Sequence, residues 1–159
     1  MTKIDGGLRS LFRERIPDFH WQSIETGGTG RGVPDSNYCC GGREGWIEYK
    51  VTAGWAVTLR PEQIGWLLRR SRAGGRVFVA VRRCCPAGPR RAASDELWLV
   101  RGSAAALLRT HGLRVLLAGT PQKAGGPSGV RPADELVGVW RGGPAAWPWP
   151  ALRAALLGP

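Results

Sequence analysis

The order of periodic segments predicts an α/β domain with a central mixed sheet flanked by helices. Three observations carry this reading. Apolar residues recur at helical spacing over 4–15, and two apolar-rich runs, 33–40 and 46–51, flank a Gly-rich turn. A helix that opens on Pro61 and closes at Gly74-Gly75 is followed by the uninterrupted apolar run Val77–Val81. The 159 residues suit one domain with at most an appendage, and a hydrophobic content of 43% is enough to build a core.

Taken in order, Ile4, Leu8, Leu11 and Phe12 line one side of a first helix, with Asp5 as its cap and Pro17 as its stop. Trp21 to Glu25 reads as a short strand, and TGGTGRG (26–32) as a polar loop. Residues 33–40 and 46–51 form the arms of a hairpin turned by Gly41-Gly42-Arg43-Glu44-Gly45. Pro61 begins a helix running to about Ala73; strands at Val77–Val81 and Leu97–Val100 and a short helix over Gly102–Arg109 follow. Residues 86–94 and 119–133 read as loops. The expected division is a core at 1–110 and a Trp/Pro-rich C-terminal extension at 111–159 that ends in a short helix. This extension and strand 97–100 are candidate contact surfaces.

Charge narrows the partner. The chain holds 23 Lys and Arg against 12 Asp and Glu, a formal net charge of +11. From Gln63 to Ser94 there is no acid, but Arg69, Arg70, Arg72, Arg76, Arg82, Arg83, Arg90 and Arg91 fall in that stretch. A run of one sign suits a phosphate backbone, whose binding rests on releasing condensed counterions. No apolar run is long enough to span a membrane, and charges sit where a signal peptide needs its apolar stretch, so a cytoplasmic location is expected. The adjacent pairs Cys39-Cys40 and Cys84-Cys85 lack the spacing of zinc ligands and read as small packing thiols. His20 and His111 have no partner spacing and read as structural.

The chemistry lies in GVPDSNYCCGGREGWIEYKV (32–51). On the strand 46–51, Trp46, Glu48 and Lys50 share one face while Ile47, Tyr49 and Val51 share the other. Ile47, Tyr49 and Val51 belong in a core; a carboxylate and an ammonium two residues apart on the opposite face are costly there unless paired or bound to a metal. The hairpin returns Asp35 beside Glu48. Two such carboxylates repel unless a cation lies between them, and oxygen ligands suit magnesium, with manganese as a substitute. Pro34 fits where the strand enters, since it lacks a ladder donor.

GVPD (32–35) followed by WIEYK (46–50) resembles the PD-(D/E)xK signature of the restriction-endonuclease-like nuclease superfamily. The resemblance implies an αβββαβ core and metal-dependent phosphodiester hydrolysis. Asp35, Glu48 and the backbone carbonyl of Tyr49 are then metal ligands, and Lys50 is the catalytic lysine. Within the superfamily, the short basic chain and the GTGRGVPD loop look most like archaeal-type Holliday-junction-resolving enzymes, including phage-borne ones. That likeness implies branched double-stranded DNA as substrate, a homodimer, and no nucleotide cofactor; the 111–159 extension and strand 97–100 are then the candidate dimer surfaces, and the extension also a candidate for DNA contact. Flaps, other branched DNA or linear duplex are the alternative substrates, and a catalytically inactive DNA-binding module is the alternative of a different class.

The chain departs from this pattern in its first helix. Archaeal-type resolvases carry a glutamate there, whereas Gly6 to Leu8 offer none, so Glu25 at the mouth of the Gly-rich loop is the expected third acid, ahead of Glu14. Gln63, in the first turn of its helix, matches a polar position that many members aim at the site. Thr29 and Arg31 in the Gly-rich loop, with Arg60 and Arg70, are the expected DNA contacts. Trp55 and Trp66 are candidates for stacking on splayed bases.

Overall fold

Leu8 and Phe12 fall on one side of helix α1 (Leu8–Arg15) and are fully buried, and Ile16, which caps it, continues the same stripe. The computed structural model that shows this describes residues 5–25, 30–117 and 131–158. The helix starts later than the apolar spacing predicts because Gly6 and Gly7 turn the chain with φ of +61° and +77°. Asp5 does cap it: its carboxylate accepts the backbone N–H of Gly7 at 3.0 Å and of Arg9 at 3.3 Å. Ile4 lies outside the described residues.

After α1 come β1 (His20–Ser23), β2 (Ser36–Cys40), β3 (Arg43–Thr52), α2 (Pro61–Arg72), β4 (Val77–Cys85), β5 (Ser94–Arg101), α3 (Ala105–His111), β6 (Leu136–Arg141) and α4 (Trp149–Leu157). The segment from α1 to β4 therefore follows the expected helix, three strands, helix, strand. All six strands lie in one open sheet in sequence order. Every ladder is antiparallel except β3–β4, which α2 joins as a parallel crossover. The β2–β3 turn is tighter than expected. Gly41 and Gly42, with φ of +55° and +74°, form a two-residue turn of the primed kind, so Cys40 already pairs with Arg43 and β3 begins there.

The sheet separates two apolar layers. Ile47, Tyr49, Phe78, Leu97 and Leu99 face α1 and α4, while Val77, Val79, Val81, Trp98 and Val100 face α2 and α3. The expected division at residue 110 has no counterpart in the packing. β6 extends the sheet from β5, and Trp147, Trp149, Leu152 and Leu156 are 0–8% exposed within the first layer. Tyr38 donates from its hydroxyl to the Leu156 carbonyl at 2.6 Å, and Arg43 donates to the carbonyls of Leu157 and Gly158, placing a cation on the C-terminal end of α4. Trp147 and Trp149 of the tail are thus core residues, and Leu97–Val100, buried between β4 and β6, offers no dimer surface.

The one-sign basic stretch is also revised by the fold. Arg82 makes a two-pronged pair with Asp95 at 2.9 and 2.6 Å, and Arg83 pairs with Glu96 at 3.2 Å, both acids supplied by the neighbouring strand β5. The acids lie just past the stretch in sequence but beside it in space. Arg69, Arg70, Arg72, Arg90 and Arg91 remain exposed.

Two outcomes test this packing. A chain ending at residue 110 loses the buried side chains of Leu113, Leu116, Trp147, Trp149, Leu152 and Leu156, each worth about 1.5–3 kcal/mol, a sum comparable to a whole domain's stability. It is expected to show no cooperative thermal transition by circular dichroism. At Gly32 (φ +85°) an added Cβ would lie 2.3 Å from the Glu62 carbonyl oxygen in the first turn of α2. Gly32→Ala is therefore expected to cost about 2 kcal/mol or more in urea denaturation, through strain at positive φ and displacement of the loop that carries Asp35.

Candidate active site

The β2–β3 register sets Ser36 opposite Ile47, so Asp35, one residue before the strand, falls opposite Glu48. Glu48, Lys50 and Trp46 occupy the face of β3 turned towards α2, as alternation requires. Pro61 at the start of α2 and the Gln63 side chain, which accepts the Arg60 backbone N–H at 3.0 Å, fix how that helix begins. The result is a cleft of about 690 Å³ lined by Asp5, Arg9, Asp35, Glu48, Tyr49, Lys50, Thr58, Arg60 and Gln63.

Glu48 is the deepest charge in it, only 1% exposed. Its Oε1 receives the Lys50 ammonium at 2.8 Å and the side-chain amide of Gln63. Its Oε2 is buried with no hydrogen-bond partner among the described residues. Burial pushes the Glu48 carboxyl up to about 7, the nearby charge of Asp35 adds to that, and Lys50 opposes it. The Gln63 amide is oriented by three contacts: its oxygen accepts from Arg60 and, at 3.2 Å, from Lys50, while its nitrogen donates to Glu48.

Asp35 bridges two elements. Its Oδ2 accepts the Tyr49 backbone N–H at 2.9 Å, and its Oδ1 lies 3.4 Å from the Arg9 guanidinium. The Trp46 N–H bonds to the Arg76 carbonyl on the side of β4, so by alternation the Tyr49 N–H and C=O both face the β2 side. There β2 has already ended, and the Tyr49 carbonyl faces the space that Asp35 enters.

These residues fit a hard dication. Two carboxylates, one with a buried oxygen lacking any donor, and a strand carbonyl make an all-oxygen set of the kind that magnesium or manganese accepts while keeping several waters. Among the described residues, no group of three or more His, Cys, Asp or Glu comes together. Glu25 is exposed and does not line the cleft, so the acid expected from it is not delivered; β1 ends at Ser23, before it reaches the site. Glu14 lines a separate, largely apolar hollow behind α1.

The remaining residues singled out in the sequence divide. Arg60 lines the cleft, whereas Arg31 is exposed outside it. Arg70 lies over the rings of Trp46 and Trp66, 5.7 and 5.9 Å from their centres. Thr29 lies outside the described residues. The guanidiniums of Arg83 and Arg114 lie 3.9 and 4.8 Å from the centre of the Trp55 ring, and Trp66 packs on Trp46, so both rings are partly covered. The four thiols are free, with Cys39 and Cys40 on β2 and Cys84 and Cys85 on β4. Asp5, expected only as a helix cap, and Arg9 also line the cleft. Their separation of four residues at the start of a helix, on one side of it, is the signal that could have paired them.

No protein-family model matches the chain, and no curated protein sequence matches it. Among solved structures it is similar to a Holliday junction resolvase from the archaeal hyperthermophile Archaeoglobus fulgidus, with 20% identity over 60% of this chain and 74% of that one and a TM-score of 0.43. Among the described residues, no helix is long and apolar enough to cross a membrane.

The raised Glu48 carboxyl sets a pH dependence. An acid whose pKa is higher folded than unfolded lowers stability as pH rises from its unfolded value through its folded value. The metal-free protein is therefore expected to weaken between about pH 4.5 and 7. Glu48→Gln is expected to gain on the order of 2 kcal/mol more at pH 8 than at pH 5 in chemical denaturation. An equal gain at both values would contradict the placement of Glu48.

Proposed function

We propose that this chain is a magnesium-dependent endonuclease that hydrolyses DNA phosphodiesters, with four-way junctions as its substrate. The observation that carries the reaction class is the buried Oε2 of Glu48, without a donor among the described residues, in the cleft that Asp35 also lines. An ion-pair network built for stability alone has no use for two carboxylates set against each other with one oxygen unsatisfied. The substrate class rests on the resemblance of GVPD and WIEYK to the junction-resolving enzymes, and on the net charge of +11.

Asp35, Glu48 and the Tyr49 carbonyl would hold the ion. When bound, it supplies Lewis-acid activation of water and neutralises charge on the phosphate. Lys50 has three donors, of which one meets Glu48 and one meets Gln63; the third is free to orient the attacking water and to stabilise charge developing on the phosphate oxygens. Gln63 positions that ammonium and ties it to the start of α2. Water then attacks phosphorus as the P–O bond to the leaving sugar oxygen breaks; the water gives up a proton to solvent and the leaving oxygen takes one from it. Arg60 and the exposed arginines of α2 hold the backbone through charge. Two chains related by a two-fold axis would match the two-fold symmetry of a four-way junction and nick it in pairs.

The test is cleavage of four-way, flap and linear duplex DNA with magnesium. Paired symmetric nicks on the four-way substrate are expected, with Glu48→Gln binding but not cutting. Lys50→Ala is expected to slow cleavage by about 100-fold or more, as for loss of a group acting at the transition state. Cutting of flaps alone would change the substrate and keep the chemistry. Glu48→Gln cutting as fast as the parent would end the metal-site reading. Affinity for DNA is expected to fall steeply between about 50 and 200 mM salt, and a flat response would contradict a phosphate-dominated interface.

A further inference from the structure

Three acids line the cleft, Asp5, Asp35 and Glu48, and the Arg9 guanidinium stands beside Asp35. Asp5 lines the cleft, but both of its oxygens are spent on the backbone N–H groups of Gly7 and Arg9. Residue 8 is a leucine with no exposed surface, turned into the core. Arg9 projects from the first turn of α1 into the cleft, where its Nη2 lies 3.4 Å from Asp35 Oδ1 and its Nε is buried without a partner among the described residues.

We propose that Arg9 is the fixed second cation of the site: each chain takes up one divalent ion, and the Arg9 guanidinium, not a second ion, meets the scissile phosphate. This rests on the phosphodiesterase reading above. Two features support it. A second dication beside Asp35 would face the Arg9 charge and would lack a further carboxylate to hold it. The guanidinium, with five donors in a planar fork and one engaged on Asp35, can grip two phosphate oxygens while keeping that contact. Because the charge is covalently attached, it is in place before DNA arrives.

The experiment counts manganese bound by the full chain, by calorimetry without DNA, and measures cleavage kinetics for the parent, Arg9→Gln, Arg9→Lys and Arg9→Glu. The parent is expected to bind one ion per chain. Arg9→Gln should still bind one, with affinity equal or a few-fold tighter, while kcat falls by about 100-fold or more, the scale for removing one donor to a developing oxyanion. Arg9→Lys should fall between them, since it restores charge without the fork. Arg9→Glu should take up a second ion. Two ions per parent chain, or Arg9→Gln with unchanged kcat, overturns the role of Arg9 and leaves the metal-dependent nuclease reading intact. A parent that binds no manganese and cuts no DNA overturns both.

Discussion

A carboxylate held almost entirely out of water, with a donor on only one of its two oxygens, is the constraint on which the rest of this structure turns. Burying an anion is costly unless its oxygens are satisfied, and Glu48 meets only half of that requirement through Lys50 and Gln63. Asp35 worsens the balance, since its charge also raises the Glu48 carboxyl. A hydrated dication relieves both difficulties at once, by neutralising the pair and occupying the open oxygen.

The fold maintains that arrangement by approaching Glu48 from three directions. The β2 entry, turned at Gly32 against the first turn of α2, brings in Asp35; α2 brings Gln63; α1 brings Arg9. Val79, which pairs with Glu48 across the parallel ladder, and Leu67 on α2 supply the apolar surroundings that keep its charge poorly solvated. On the far side, α4 with Trp149, and Trp147 just before it, close the layer beneath Tyr49 and Phe12, where Phe12 meets both Tyr49 and Trp149 edge-on. The C-terminal segment thus supports the site from behind without reaching it.

Much of this was legible in the chain because it is written locally. The period of two over 46–51 places Glu48 and Lys50 on one face; Gly41-Gly42 turns the hairpin that returns Asp35; and Pro61 and Gly74 mark the ends of α2. What stayed hidden depends on partners distant in sequence. Strand β6 is short, interrupted by Gly138 and followed by Gly142-Gly143-Pro144, so its apolar character shows only once β5 lies beside it. The tryptophans of a Pro-rich tail read as surface until α4 covers the sheet. Arg82 and Arg83 looked free because Asp95 and Glu96 meet them across a strand turn. Arg9 is one of three arginines on α1, and only the closing of 26 residues onto Asp35 separates it from the others.

The most direct measurement is anomalous diffraction from crystals grown with manganese. A peak bounded by Asp35, Glu48 and the Tyr49 carbonyl, with Lys50 Nζ nearby but not ligating, is the predicted result. Manganese seated elsewhere on the chain, with the Glu48 carboxylate still closed on Lys50 and Gln63, would contradict the account.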